Sequence, residues 1–226
     1  EPGTQLWLIE ASARNGDNVR TLTHYDILLR TKPDSQAVLF PRLTSALDDA
    51  EIRKSLIPYM RTDKGWVTGF VYHAISRSKD PASLVALLVE ARGFPQTPAL
   101  RNQSQLLINR LAAEKHFADA RRVYLLLPGA RAGRLSSPAF DSSDRDGQFA
   151  AIGWQIFDDA EAGGAFTGKG PPTLAIYVDA ATTRKVATKL LYLPEGRHFF
   201  TSRIASLDRG TGGWVRWNLR CPTGEN

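Results

Sequence analysis

The sequence predicts a multi-domain α+β protein, in which an N-terminal set of helical hairpins is followed by a C-terminal antiparallel β-sandwich. Up to about residue 128, apolar residues recur at intervals of three and four, which is the period of an amphipathic helix. Beyond a Gly-, Ser- and Asp-rich stretch, short alternating runs are separated by Gly and Pro, as in strands. We therefore predict a helical repeat domain over 1–128, a linker and first sandwich edge over 129–148, and a β-sandwich over 149–226.

The helices of the first half are bounded by recognisable start and stop signals. Gly16-Asp17 ends the first helix, and Pro33 limits the second. Asp80 followed by Pro81 is a good start signal, because Asp caps a helix and Pro suits its first turn. These signals predict helices over 6–15, 19–31, 34–47, 48–60, 65–78, 82–93, 104–113 and 117–127.

Residue types that recur at a fixed interval indicate an internal repeat in the helical half. Ile9, Ala13 and Tyr25 recur as Ile108, Ala112 and Tyr124 at a constant offset of 99 (124 − 25), about three units of 33–34 residues. Residues 6–33 resemble a tetratricopeptide repeat, as do 104–128 more loosely, whereas 34–103 lack the same small residues and are expected to be irregular. The resemblance implies a tetratricopeptide-like solenoid that binds a protein partner. The alternative is that these helices only pack on the sandwich.

The second half is rich in β-branched and aromatic residues that alternate with polar ones. Leu174, Ile176 and Val178 alternate along one run and would face a core. Runs at roughly 10-residue spacing without intervening helices are typical of an antiparallel sandwich. The predicted strands are 149–157, 173–178, 185–193, 197–207 and 214–221.

Two parts of this half resemble galactose-binding-like jelly rolls, a fold that includes several carbohydrate-binding modules. They are 137–140 with 152–156, and the Pro-Gly turn region 191–199. The closing segment 217–221 is similar to bacterial envelope proteins that combine repeats with a sandwich and are often encoded near polysaccharide-assembly genes. The resemblance implies a jelly roll that binds or positions an exopolysaccharide or surface glycan, in a periplasmic, extracellular or envelope-associated protein.

The candidate glycan site lies on the last predicted strand. Trp214, Arg216, Asn218 and Arg220 would project from one face of that strand. An aromatic ring stacks on the apolar face of a sugar, and the arginines suit acidic sugars through charge-assisted hydrogen bonds. The alternative is that helices cover this face. Trp154 and Trp217 are interpreted as core residues.

Metal and catalytic signals are weak. Asp141, Asp144 and Asp146 could bind a structural calcium, but their spacing matches only part of a calcium loop, and an ordinary Asp-Gly turn is the alternative. We expect no other cofactor. Asp158 and Asp159, with Glu161, could suggest a glycosidase, but adjacent acids in a polar loop are typically just solvated.

Composition limits the remaining classes of partner. The net charge is +6, yet the basic residues are scattered and match no nucleic-acid-binding motif, so we expect no nucleic acid. No apolar run approaches the roughly 20 residues of a membrane helix, so we expect membrane association only through a segment missing from this chain. The single Cys221 is expected to be buried. The sequence thus favours a non-enzymatic envelope scaffold; a purely protein–protein adaptor and a glycan-active enzyme remain alternatives.

Overall fold

The chain divides into two compact units, Glu1–Ala130 and Arg131–Asn226. The structure is a computed structural model, and it describes residues 2–62, 64–93, 98–140, 152–167, 173–204 and 214–221. Within these residues the secondary structure is mainly helical.

The described residues of the first unit form helices joined by short turns. Two short 3-10 turns, Pro33–Ser35 and Ala46–Asp48, flank the third helix. The helices are α1 Pro2–Arg14, α2 Asn18–Thr31, α3 Gln36–Ser45, α4 Ala50–Met60, α5 Gly65–Arg77, α6 Ala82–Glu90, α7 Pro98–Ala113 and α8 Phe117–Leu125.

Short polar side chains fix where several helices begin. The carboxylate of Asp17 accepts the Arg20 N–H at 2.9 Å at the start of α2, and that of Asp49 accepts the Glu51 N–H at 2.8 Å at the start of α4. The predicted start signal of α6 is also present, since Asp80 accepts the Ala82 N–H at 2.8 Å. Such caps satisfy amide groups that have no partner inside the helix.

The turn between α1 and α2 recurs between α7 and α8. In the first turn Gly16 has a left-handed backbone (φ 70°), its N–H bonds the Ala13 carbonyl, and the next N–H bonds the Ser12 carbonyl. In the second turn Lys115 (φ 65°) and the residue after it make the corresponding bonds to the carbonyls of Ala112 and Leu111. This pattern is a Schellman helix end, and the copies at Gly16 and Lys115 are 99 residues apart (115 − 16). The same pattern also ends α6, where the N–H groups of Arg92 (φ 62°) and Gly93 bond the carbonyls of Val89 and Leu88.

The helices of this unit pack in two rows. In one row α3 contacts α5 and α5 contacts α7, while in the other α2, α4, α6 and α8 contact one another in sequence order. At the ends, α1 packs on α2 and α7 packs on α8. Large side chains that are at most 2% exposed form the core between the helices: Leu28, Leu39, Leu56, Phe70, Leu87, Leu107 and Tyr124. Burial of one such side chain stabilises the fold by about 1.5–3 kcal/mol.

A buried polar contact links α2 to α5. The indole N–H of Trp66 donates to Asp26 Oδ1 at 2.9 Å, and the other Asp26 oxygen accepts from Arg30 at 3.0 Å. Trp66 is 3% exposed and Asp26 is 7% exposed. Because buried carboxylates are costly unless hydrogen-bonded, this contact specifies how α2 and α5 are placed.

An arginine closes the end of α5. The Arg110 guanidinium, on α7, donates to the Ile75 carbonyl at 2.5 Å and to the Ser78 carbonyl at 2.7 Å, and its Nε pairs with Glu114 at 2.7 Å. A cation at a helix C-terminus satisfies carbonyls that lack helical partners and interacts favourably with the helix dipole.

The predicted jelly-roll sandwich is wrong. The second unit contains a short helix and, within its described residues, two small antiparallel sheets of two strands each. The strand β2 pairs with β3 from Ala162↔Val178 to Thr167↔Thr173, and β1 pairs with β4 at Gln155↔Thr188 and Ile156↔Ala187. These elements are α9 Ala132–Ser136, β1 Gln155–Ile156, β2 Ala162–Thr167, β3 Thr173–Val178 and β4 Ala187–Thr188.

The error arises because, among the described residues, no second sheet covers the apolar side of β3. The alternation in β3 predicted that Ile176 and Val178 would face a core, but they are 40% and 45% exposed. In the described parts of 197–207 and 214–221 the backbone forms no ladder with another strand. Alternation of apolar and polar residues indicates that a segment can be half-buried. It does not show that another sheet packs on the apolar side.

Aromatic rings form the main packed cluster that the second unit shows. Phe140 lies 5.1 Å from Trp154 and 5.5 Å from Phe166, while Trp217 lies 6.1 Å from Trp154 and 5.1 Å from Phe200, measured between ring centroids. Such spacings are typical of packed aromatic pairs. Trp217 nevertheless stays 41% exposed, so the cluster is open on one side.

Candidate functional site

The outward side of the α3–α5–α7 row carries large exposed apolar side chains. Val38, Tyr72 and Leu106, one from each helix, are 52%, 54% and 48% exposed. In each helix the residues that follow or precede them by one position are buried, so periodicity turns these three side chains away from the core. We call this surface the α3–α5–α7 face; it comprises Val38, Arg42, Tyr72, Asn102, Leu106 and Asn109.

Contacts between the helices place several of these side chains side by side. On α3, Phe40 packs against Phe70 at 5.9 Å and His73 at 5.8 Å of α5, so an α3 residue is level with the α5 residue about 30 positions later. Between α5 and α7, the Gln103 amide bonds the Thr68 carbonyl at 3.0 Å, an offset of 35 residues (103 − 68).

These two offsets align the centre of the face. Arg42 of α3 is level with Tyr72 of α5, and Tyr72 is level with Leu106 and its neighbour on α7. All three are exposed on adjacent helices. They therefore form a row that crosses the helices, with the exposed amides of Asn102 and Asn109 one turn to either side.

No carboxylate lies in the sequence of α3, α5 or α7, which instead contain four arginines. Arg110 is used to close α5, but Arg42 and Arg77 are exposed and form no ion pair with any residue that the structure describes. Arg77 lies near His73: burial lowers the pKa of His73, and Arg77 lowers it further. Because the face includes Arg42 and none of its six named residues is acidic, it is positive and apolar.

A second surface feature lies on the other row. Val19 of α2 and Lys54, Ser55, Pro58 and Tyr59 of α4 line an open depression of about 390 Å³. The Lys54 ammonium is already paired with the Glu51 carboxylate at 2.6 Å, and this hydrogen bond raises the pKa of Lys54. Lys54 is the one cation among these lining residues, and its ammonium already has a carboxylate partner.

The residues predicted to bind a glycan are exposed, but they do not share a strand face. Trp214, Arg216, Asn218 and Arg220 lie in a segment without strand pairing in the described residues, and all four are exposed. The Arg216 guanidinium lies 4.9 Å from the centre of the Trp214 ring, a cation–π contact. Cys221, which was expected to be buried, is exposed, so that expectation is wrong.

The predicted calcium ligands Asp141, Asp144 and Asp146 lie outside the described residues. Among the residues that are described, no group of three or more His, Cys, Asp or Glu side chains is arranged to hold a metal ion. The calcium site therefore stays a prediction.

The acidic loop before β2 is held by local hydrogen bonds. Asp158 accepts the Tyr177 hydroxyl at 2.6 Å, and Asp159 accepts the N–H groups of Glu161 and Ala162 at 2.8 Å. Backbone hydrogen bonds lower the pKa of Asp159, which is the opposite of the shift that a carboxylic acid needs to donate a proton at neutral pH. The Tyr177 pKa is raised by its bond to Asp158. A role in fixing the loop accounts for these contacts.

The α3–α5–α7 face was not among the predicted sites, although the sequence contains two signals for it. The first signal is a constant spacing of 34 residues between Val38, Tyr72 and Leu106 (72 − 38 and 106 − 72). This spacing is close to the unit length of the internal repeat. The second signal is the absence of Asp and Glu from three helical segments in a chain with 23 acidic residues.

Comparison with protein-family models, with curated proteins and with solved structures finds no match to this chain. In the part of the chain that the structure describes, no helix is long and apolar enough to cross a membrane. Function is therefore inferred from the chain's own geometry and charge.

Proposed function

We propose that this chain is a protein-binding scaffold whose helical unit is a stack of tetratricopeptide-type hairpins, with the α3–α5–α7 face as its docking surface. The stacking of helices two apart in the chain is the observation that carries the proposal. The same backbone turn, with a left-handed residue at Gly16 and at Lys115, occurs at an interval that equals three repeat units. Repeats of this kind present an extended surface for binding another protein.

The packing of the rows supports the same proposal. Helices two apart in the chain contact each other, as expected where each hairpin stacks on the next. The close contacts within a hairpin occur at α1–α2 and α7–α8, the two segments that carry small residues such as Ala13 and Ala112 near their turns. Small side chains at these turns let the two helices of a hairpin approach each other.

The chemistry of the face also suits a protein partner. Tyr and Arg are enriched among the residues that contribute most to protein interfaces, and the face presents Tyr72 beside Arg42. Val38 and Leu106 add exposed apolar area, which soluble proteins tend to concentrate where they bind partners. The amides of Asn102 and Asn109 can hydrogen-bond to a partner backbone.

Site-specific photo-crosslinking tests the proposal. A benzophenone amino acid replaces Tyr72 in the full chain, expressed in its native host, and the matched control carries it at Val19, which is 69% exposed on the other row. We expect a discrete protein adduct at position 72 that disappears when Leu106→Ser is added. An adduct at position 19 but not at 72 would move the site to the depression between α2 and α4. If neither position gave an adduct, the scaffold function would be refuted.

Glycan binding by the second unit is a second candidate, favoured by the exposure of Trp214 and by the position of Arg216 over its ring. An exposed ring next to a cation suits an acidic sugar. The test is a tryptophan-fluorescence titration with neutral and acidic polysaccharides. A saturable signal lost in Trp214→Ala and in Arg216→Ala, but kept in Trp7→Ala (another exposed tryptophan, on α1), would support it. No response to the panel would exclude it.

A further inference from the structure

Large apolar side chains are exposed in two segments of the second unit, 192–204 and 214–221. Phe199 is 94% exposed, the highest value among the large apolar residues that the structure describes. Further apolar side chains of the two segments are 45% to 67% exposed, among them Leu193, Ile204, Trp214 and Leu219. Their number calls for an explanation, because single exposed apolar residues are ordinary but a group of them is not.

The charged side chains of the same two segments are mainly cationic. Four arginines occur there against one carboxylate, that of Glu195. The four arginines are exposed and form no ion pair with any residue that the structure describes: Arg197, Arg203, Arg216 and Arg220. We call the exposed side chains of segments 192–204 and 214–221 the apolar-basic surface.

Two contacts between described residues hold the segments side by side. The Phe200 ring lies 5.1 Å from the Trp217 ring, measured between centroids, and the Trp217 indole N–H donates to the Ser202 hydroxyl at 3.1 Å. Because Phe200 takes part in this contact, its neighbour Phe199 is left on the outside. The exposed apolar and basic side chains therefore lie on adjoining segments, although these segments are separated in sequence.

From this combination we infer that the apolar-basic surface docks the second unit on a lipid bilayer that contains anionic headgroups. The inference goes beyond the proposed scaffold function. The guanidinium groups would bind lipid phosphates, for which their planar donor geometry is suited, and Phe199 would enter between the headgroups. Such docking differs from a membrane span, which needs one long apolar run, whereas these apolar residues come from two short segments.

The backbone of the two segments sets the depth of docking. Their described residues form neither helix nor strand. Such a backbone is excluded from the hydrocarbon core, where no water satisfies its amides and carbonyls, but the headgroup layer is hydrated. Trp rings favour that layer, since they have an apolar body and a polar N–H. We therefore expect Trp214 and Trp217 at the level of the headgroups and Phe199 just below them.

The side chains of the apolar-basic surface favour a bilayer over a nucleic-acid strand. A strand would pair its phosphates with the arginines and stack its bases on aromatic rings. One face of the Trp214 ring is covered by the Arg216 guanidinium at 4.9 Å, and Trp217 packs against Phe200. Aliphatic side chains such as Leu219 would have no role in such a complex, whereas a bilayer accepts aliphatic and aromatic groups alike.

Co-sedimentation of the full chain with lipid vesicles tests the inference. One set of vesicles is pure phosphatidylcholine, and the other contains roughly one third phosphatidylglycerol. We expect binding to the anionic vesicles to be at least about tenfold stronger, because each arginine near an anionic surface strengthens binding about fivefold. Raising the salt from about 50 to about 300 mM should weaken this binding without abolishing it, since salt screens the arginines but not apolar burial.

Two pairs of variants locate the contact. Phe199→Ser should weaken binding to the anionic vesicles about tenfold, whereas Trp7→Ser, at an aromatic residue of α1 that is 65% exposed, should change it by less than about twofold. Arg197→Gln should weaken binding about fivefold, whereas Arg20→Gln, at an exposed arginine of α2, should change it by less than about twofold. All four variants should keep the far-UV circular dichroism of the parent, because all four positions are exposed.

The exposed Cys221 supplies a second readout, on the other segment. The fluorophore NBD attached to this single cysteine should shift its emission to shorter wavelength when anionic vesicles are added. Nitroxide lipids should quench it more strongly from the headgroup layer than from the middle of the acyl chains. An unchanged emission, or stronger quenching from the acyl chains, would overturn docking through this surface at headgroup depth.

Other outcomes would also overturn the inference. They are no binding to the anionic vesicles, equal binding to both kinds of vesicle, and equal losses within either pair of variants. Complete displacement from the vesicles by a single-stranded DNA decamer or a soluble polyuronic acid, at matched anionic charge, would instead assign the surface to a nucleic acid or a glycan. None of these results bears on the crosslink at position 72, which tests the helical unit by itself.

Discussion

Replacing Trp66 by Phe should measure how strongly the buried contact between α2 and α5 stabilises the helical unit. The substitution keeps an aromatic ring next to Phe70 and Tyr59 but removes the N–H that donates to Asp26 at 2.9 Å. A hydrogen bond to a charged group contributes about 1.5–3 kcal/mol, and the smaller ring leaves a gap that costs about 1 kcal/mol more. We therefore expect the free energy of unfolding to fall by about 2.5–4 kcal/mol.

Urea unfolding followed by circular dichroism at about 222 nm, which reports on the helices, measures this change. The control is Trp7→Phe, because Trp7 is 65% exposed and makes no buried contact of this kind; its effect should stay within about 0.5 kcal/mol. A double-mutant cycle with Asp26→Ala should give a coupling energy of about 1.5–3 kcal/mol between the two side chains. A cost for Trp66→Phe as small as that for Trp7→Phe, or a coupling energy near zero, would refute the reasoning.

Three smaller perturbations test other parts of the structure. Asp49→Ala should lower the free energy of unfolding by about 1 kcal/mol in urea titrations, because the start of α4 loses its cap. Burial lowers the pKa of His73 below its ordinary value of 6.5, so the unfolded chain takes up this proton first as the pH falls. The free energy of unfolding should therefore decrease as the pH falls through about 6.5, and His73→Gln should reduce that dependence. In the second unit a Cβ at position 163 would overlap the Asp158 carboxylate and lie 2.8 Å from the Tyr177 hydroxyl. Gly163→Ala should thus break their hydrogen bond and lower the Tyr177 pKa in a spectrophotometric titration; an unchanged pKa would contradict the described loop.

The helices could be predicted from the sequence because their determinants are local. Start signals such as Asp17 and Asp80 lie within three residues of the amides that they cap, and apolar periodicity is visible inside each segment. The predicted ranges 65–78 and 82–93 consequently differ by only a few residues from α5 and α6. The offset of 99 between Tyr25 and Tyr124 also matches the interval between the two repeated helix ends.

The second unit could not be predicted in the same way, because a strand is defined by a partner elsewhere in the chain. The alternation of 214–221 suggested a strand face carrying Trp214 and Arg216, yet the structure pairs no strand with this segment in the described residues. Side-chain alternation is equally compatible with an exposed extended segment, and only pairing distinguishes the two. The same limit applies to Cys221, whose residue type favours burial but whose surroundings leave it exposed.

The α3–α5–α7 face illustrates a different limit. Periodicity identifies the buried side of α5 through residues such as Phe70, and it leaves open what the other side does. Only the arrangement of the helices reveals that Tyr72 and Leu106 lie level on neighbouring elements. The sequence shows that α3, α5 and α7 contain no Asp or Glu. Only the structure shows that these three helices pack in one row.

The two-row packing also has a consequence for how the chain folds. In each row a helix packs on the helix that lies one hairpin, about 33 residues, further along the chain. Most contacts therefore join residues that are close in sequence. Proteins with such low contact order fold quickly, since little chain entropy is lost before the contacts form. The helical unit can therefore grow hairpin by hairpin as it leaves the ribosome, with α2 buried in stages by α4 and α5.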